Sequence, residues 1–252
     1  MPEYILIPTP IKHPTFSELE LLIRRVGHDY VSDFSAIQGV LDLLTTETSP
    51  TYKQKWIKNA STSLQHATHI SQALMELGTS RHQSKEFRLE ELEKETVEYA
   101  IHHWGLSIAP FADKSVSSQT CFNHFNILYM QLFNFVQNAR DSYNGKKSFK
   151  AELGAEILCP SEQELHYLGR NAEHYTTKDH LVRIWVRDEG KGIPKEKLST
   201  IFRPGFTTRS NGSGLGLYLV DYICDFVHGF AKVESEVGRG SKFSLYFAQN
   251  KR

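Results

Sequence analysis

Cysteine is scarce. The 252 residues hold three, Cys121, Cys159 and Cys224, and no two of them stand at a CxxC or CxxxC spacing. That excludes a disulfide framework and a zinc ribbon and leaves buried thiols as the expectation. Excess charge of either sign is missing as well, since 29 Lys and Arg balance 29 Asp and Glu. No stretch is strongly basic, so the electrostatic footprint that phosphate backbones require is absent and no nucleic-acid partner is expected. No apolar run approaches the ~20 residues of a membrane helix, and the opening MPEYILIPTPIKHP lacks the charged-then-apolar order of a signal peptide. These absences predict a cytoplasmic chain with no membrane segment. What is present, 40% hydrophobic and 23% charged residues, suits a folded chain of two domains of common size or one large one.

From Thr15 to about Thr46, apolar residues recur at steps of three and four (Leu19, Ile23, Val26, Tyr30, Phe34, Ile37, Leu41, Leu44), which predicts a long amphipathic helix. After a break carrying Ser49 and Pro50, Trp56, Ala60, Leu64, Ala67, Ile70 and Leu74 repeat the period up to Gly78. Two such helices predict an antiparallel hairpin. A hairpin with apolar stripes on both helices closes no core alone, so a homodimeric four-helix bundle is expected.

The polar stretch TSRHQSKE reads as a linker, dividing residues 1–80 from 81–252. Beyond it the pattern predicts a short strand (FRL), a helix from Glu90 to about Trp104, a short strand near Ser107 and a helix from about Phe122 to Tyr143. The strand LVRIWVRD, a helix from about Leu215 to Val227, and two closing strands, FAKVES and SKFSLYF, follow. This mixture predicts an α+β sandwich of one sheet under helices. Residues 144–178 show no clear period. His66 with His69 and His102 with His103 stand in no carboxylate or cysteine context along the sequence, so no metal is assigned to them.

Four segments carry chemistry: QLFNFVQNARDSY, DEGKGIP, IFRPGFTTR and GSGLGL. In the first, Asn134, Asn138 and Asp141 fall on one helix face, while Leu128, Leu132, Phe135, Val136 and Ala139 fall on the other. An amide oxygen is a hard neutral donor suited to Mg²⁺, which keeps several waters and needs few protein ligands. In the second, Asp188 ends a β-forming run, and Gly190 and Gly192 permit a sharp turn beside it. In the last, Gly212, Gly214, Leu215 and Gly216 lead into an amphipathic helix whose N-terminal amides suit phosphate. Phe202 and Phe206 read as anchors of a mobile lid between them.

In order and content these segments resemble the N, G1, F and G2 boxes of the histidine-kinase catalytic domain, in the superfamily that also holds gyrase, Hsp90 and MutL ATPases. The resemblance spans roughly residues 85 to 248, and the preceding hairpin resembles the dimerisation and histidine-phosphotransfer domain of the same kinases. It implies an ATP-binding sandwich of the Bergerat type in which Asn138 binds Mg²⁺. Asp188 would accept from the adenine amine, Gly190 and Gly192 would shape the pocket, and Asn134, Arg209 and the glycine loop would bind nucleotide. Hydrolytic members carry a Glu where this chain has Asn134, and a neutral amide is no general base.

His28 lies two residues from both Val26 and Tyr30, so on a helix it projects about 200° from each and away from the apolar stripe. With Asp29 beside it, GHDYVSDFSAIQGVLDLL resembles the H box, which implies that His28 takes the phosphoryl group and Asp29 assists its deprotonation. An imidazole is nucleophilic near neutral pH. Ser32 occupies the position linked to phosphatase activity, and no proline follows it. The implied protein is an ATP-dependent histidine kinase of a two-component system, with a response-regulator aspartate as acceptor and its sensor in a missing part of the chain or in a partner. The alternatives are a non-catalytic phosphotransfer scaffold and an ATPase of the same superfamily.

Overall fold

The computed structural model describes residues 3–7, 31, 33–45, 49–78, 84–104, 106–111, 113–143, 149–162, 175, 180–203, 206, 217, 220, 223–224 and 227–250. Residues 33–45 are helical (α1) and precede α2 (Pro50–Gly78). A contact between Asp33 and His66, nearly symmetric about the turn, fixes the pair as an antiparallel hairpin. The remainder of the helix expected from Thr15 lies outside the described residues.

Two layers follow. A six-stranded sheet has the order β1-β7-β8-β6-β5-β3, where β1 is Glu3–Ile7, β3 Ile108–Ala109, β5 Ala151–Leu158, β6 Leu181–Asp188, β7 Phe230–Glu236 and β8 Gly240–Ala248. Only the β3–β5 pairing among these neighbours is parallel. Against one face lies α5 (Phe125–Asp141), with α3 (Leu89–Trp104) beside it. A small sheet of β2 (Lys85–Arg88) and β4 (Thr120–Asn123) sits at the edge, with α4 (Lys114–Ser117) just before β4 and α6 (Lys195–Leu198) after β6. Alternation produces the core: Val182, Ile184 and Val186 of β6 and Phe243, Leu245 and Phe247 of β8 are buried against Leu128, Leu132, Phe135 and Ala139 of α5. The rings of Phe135 and Phe243 stack at 5.5 Å. Each such side chain contributes about 1.5–3 kcal/mol by leaving water.

The sheet's other face is held by cations over an indole. Trp185 lies across Gly154, where a Cβ would come within 1.9 Å of the ring, and Arg183 and Lys242 approach it at 4.7 and 4.3 Å.

Several expectations need correction. The aperiodic stretch 144–178 contains β5, an inner strand of the sheet; its burial is mixed along its length, so no clean alternation announced it. The lead before Pro14 contains β1, which pairs with β7 and so joins a sheet built from the second half of the chain. The helix expected from Phe122 starts at Phe125, because Thr120–Asn123 pairs as a strand. Leu64, placed on the apolar stripe of α2, is 54% exposed, whereas Ala67 is buried and Ile70 and Ala73 join the main core. Cys121 and Cys224 are buried but Cys159 is exposed. His66 and His69 do have carboxylate partners, Asp33 and Glu95, brought by other helices.

Candidate nucleotide site

The site is built where the C-terminal end of α5 meets the C-terminal end of β6. Helix α5 is fixed at both ends. At its start, Asn123 accepts the His124 amide at 2.7 Å through Oδ1 and donates to the Ala248 carbonyl at 2.8 Å. At its end, the Ser142 amide donates to the carbonyls of Asn138 and Ala139. The two faces fall as the spacing predicts: Leu128, Leu132, Phe135, Val136 and Ala139 are buried in the core, and Asn138 and Asp141 on the far face are half-buried. Asn134, one turn earlier, is nearly covered.

Strand β6 delivers Asp188 to the last turn of this helix. The carboxylate is 2% exposed, and its Oδ1 accepts from the Gly190 amide at 2.8 Å and the Ser142 hydroxyl at 2.9 Å. Burial pushes the Asp188 carboxyl above its ordinary range, against the lowering effect of the Gly190, Ser142 and Ser241 hydrogen bonds. A buried carboxylate that burial disfavours is an acceptor in want of donors. The turn that follows is equally constrained. A Cβ on Gly190 would sit 1.8 Å from the Ser142 hydroxyl, and Gly192, at φ +67°, approaches the Glu236 carbonyl so closely that a Cβ would lie 2.1 Å from it. The Lys191 amide donates to the Ser142 carbonyl, and the Ile193 amide to the Ser235 hydroxyl.

The structure thus gathers Asn138, Asp188, Gly190 and Gly192 around the end of α5, with Asn134 one turn away. His28, Asp29, Ser32, Arg209, Gly212, Gly214, Leu215 and Gly216 lie outside the described residues, as does most of the helix expected at 215–227. Phe202 and Phe206 pack against the main core. Sequence reasoning passed over Ser142 and Tyr143. Tyr143 accepts the Glu189 amide at 2.9 Å and donates to the Lys150 carbonyl, tying both flanks of the site. Ser142 stands one helical turn beyond Asn138, a spacing that could have marked it.

Residues 125–251 match the family described as histidine kinase-, DNA gyrase B-, and HSP90-like ATPase, which covers half of the chain. The chain belongs to this family. Within it, the similar curated proteins are sensor histidine kinases. ZraS of Escherichia coli (strain K12) is 45% identical over 69 residues, 27% of this chain and 15% of that protein. AtoS of the same organism is 24% identical over 231 residues, 91% of this chain and 34% of its own. The chain therefore spans well under two thirds of the length of these relatives. Among solved structures, full-length ShkA in complex with AMPPNP superposes with a TM-score of 0.52 at 20% identity, covering 91% of this chain and 46% of that one, and shares its fold.

Family membership makes this the ATP-binding domain of a histidine-kinase type of ATPase. The residues present suit a nucleotide base: Asp188 is a buried acceptor, and glycine at 190 and 192 lets the turn beside it close onto Ser142 and the Glu236 carbonyl. Among the described residues no group of three or more His, Cys, Asp or Glu could hold a metal ion. No helix among them is long and apolar enough to cross a membrane.

Proposed function

We propose that this chain is the core of an ATP-dependent protein-histidine kinase of a two-component system, acting in the cytoplasm. It phosphorylates His28 and passes the phosphoryl group to an aspartate on a response-regulator receiver domain. The observation that carries this reading is the buried Asp188 carboxylate, held by Ser142 and Gly190 at the end of the helix that bears Asn138, in a chain of the ATPase family.

In this reading Asp188 accepts from the adenine amine, and the 190–192 turn lets the base lie against the backbone. Asn138 offers its amide oxygen to Mg²⁺, which neutralises phosphate charge when bound. The loop of Gly212, Gly214, Leu215 and Gly216, with Arg209, holds the phosphates. The His28 nitrogen attacks the terminal phosphorus, Asp29 takes the imidazole proton, and ADP leaves with the bonding pair of the broken P–O bond. Asn134 orients the phosphates and cannot act as a base. Exposed Phe34, Leu41, Ile57 and Leu64 on α1 and α2 supply apolar surface for a homodimer of the hairpin. The sensor belongs to a further part of the protein or to a partner.

The test is incubation of the full chain with labelled ATP. Acid-labile, base-stable label is expected, absent in His28→Gln, and slowed by roughly two to four orders of magnitude in Asp29→Asn, the usual worth of a general base. Acid-stable label that survives His28→Gln would leave the fold standing and overturn the reaction.

A further inference from the structure

A buried carboxamide on α5 has no use in the fold itself. Gln131 is 0% exposed, yet neither its Oε1 nor its Nε2 has a hydrogen-bond partner among the described residues. Asn123, just before the same helix and covered as completely, has both ends of its amide engaged: Oδ1 accepts the His124 amide and Nδ2 donates to the Ala248 carbonyl. Stranding a donor and an acceptor away from water destabilises a fold. Methionine, of similar length and volume, would fill the same space without that cost.

The place of Gln131 on the helix says what it could serve. Gln131, Asn134 and Asn138 are three and four residues apart, so their side chains leave α5 within about 60° of one another and form one stripe of carboxamides. The stripe starts near the hydrogen bond between Ser142 and Asp188, where the base is proposed to lie, and runs back toward the start of the helix. Along the axis Asn138 is about 6 Å from Ser142, Asn134 about 12 Å and Gln131 about 16 Å. With the base at one end and the metal on Asn138, the phosphates run the same way, and the terminal one comes to Asn134. Exposure falls along the stripe: Asn138 is half-buried, Asn134 is 8% exposed and Gln131 is fully covered. Gln131 therefore lies beneath the phosphate site, out of reach of the nucleotide but beside Asn134, its i+3 neighbour on the helix.

An amide at 134 has two ways to face. Its oxygen and nitrogen are alike in shape and opposite in polarity, so a hydrogen-bond partner decides which of them is presented. An oxygen turned to an anionic phosphate repels it, whereas an N–H donates to it.

We propose that Gln131 is a positioning residue for phosphoryl transfer: with nucleotide in the site its Nε2 donates to Asn134 Oδ1, which turns the Asn134 N–H groups toward the terminal phosphate. The proposal rests on the kinase reading for the presence of a triphosphate. Formation of this bond satisfies the stranded Gln131 donor, so the cost of the buried amide in the free chain is offset in the complex.

The experiment compares Gln131→Met, Asn134→Ala and the double variant with the unaltered full chain. It measures melting temperature without nucleotide, calorimetric affinity for ADP and for AMPPNP in the presence of Mg²⁺, and labelling from ATP. Gln131→Met is expected to melt higher, to bind ADP as the unaltered chain does, and to bind AMPPNP about tenfold more weakly, the effect of losing one hydrogen bond to a charged group. Asn134→Ala should show the same split between the two nucleotides, and the double variant should lose no more than Asn134→Ala alone. Unchanged AMPPNP affinity in Gln131→Met overturns the proposal. An equal loss for ADP and AMPPNP also overturns it and makes Gln131 a packing residue. Losses that add in the double variant overturn the route through Asn134. Gln131→Leu repeats the comparison should Gln131→Met fail to fold, and failure of both makes the role structural and overturns the proposal. If the unaltered chain binds both nucleotides but takes no label, the kinase reading fails while the split between ADP and AMPPNP still decides the role of Gln131. If it binds neither, both fall.

Discussion

The Ser142 hydroxyl lies 2.9 Å from Asp188 Oδ1 and donates to it, so the last turn of α5 and the end of β6 are joined by one hydrogen bond at the point where the base is proposed to bind. Ser142→Ala removes a donor that opposes the effect of burial on Asp188. ADP affinity measured by calorimetry at pH 7 is expected to fall about tenfold, the worth of one charge-assisted bond. Binding should also weaken at a higher pH on acidification than in the unaltered chain, because burial then raises the carboxyl with less opposition.

Asp188→Asn separates stability from function. A carboxyl whose folded value is raised above its ordinary 3.8 binds its proton more tightly in the folded state, so stability is lost as pH rises from that ordinary value through the raised one. At pH 7 the ionised, buried group therefore opposes folding. Asn at this position is expected to raise the melting temperature of the nucleotide-free chain at pH 7, with no gain at pH 3, and to weaken ADP binding at least tenfold. A lower melting temperature at pH 7 would contradict this account of the site.

Two glycines at positive φ should respond very differently to alanine. Gly192 combines φ +67° with a backbone carbonyl 2.1 Å from the would-be Cβ, whereas Gly238 at φ +80° has nothing within 4 Å. Gly238→Ala should cost about 1 kcal/mol, the strain of a left-handed backbone alone. Gly192→Ala should cost about 3 kcal/mol or more, because strand β7 must shift as well. Urea midpoints at equal m-values would measure the difference.

Sedimentation checks the hairpin. The full chain at micromolar concentration is expected to be a dimer, and Ile57→Glu with Leu64→Glu, both at exposed positions on α2, should yield monomers whose ADP affinity is unaltered. A monomeric unaltered chain would remove the dimer from the proposal.

The strands and helices legible in the sequence were those whose apolar residues recur at the element's own period or form a strongly β-forming run. The run from Leu181 to Asp188 is visible as a β-forming segment with partly alternating burial, and the stripe of Leu128, Leu132 and Phe135 as apolar residues at helical spacing facing the sheet. Strand β5 was illegible for the opposite reason: Gly154 must be small to admit Trp185, and Glu156 pairs with Arg183, so neighbouring strands set its residues and local period does not. At the site, Asp188 and its glycines stood out because a turn of that shape admits few residue types. Ser142 did not, since a serine near a helix end has many local uses and only the distant strand gives this one its meaning. The carboxylate partners of His66 and His69 were likewise hidden, being 33 residues earlier and 26 later in the chain at Asp33 and Glu95.

Strand β1 pairs with β7 along five residues, and the hairpin that follows leads into β2 at the rim of the same unit. The hairpin is thus a loop moored at both ends. Held at both ends, the hairpin keeps a local concentration near α3 and α5 far above that of a partner joined by a single linker. A force on residues 3–7 would be felt as tension at the sheet's edge and at the hairpin's base together. Replacing β1 residues with prolines, which cannot donate to the ladder, would convert the double mooring to a single one.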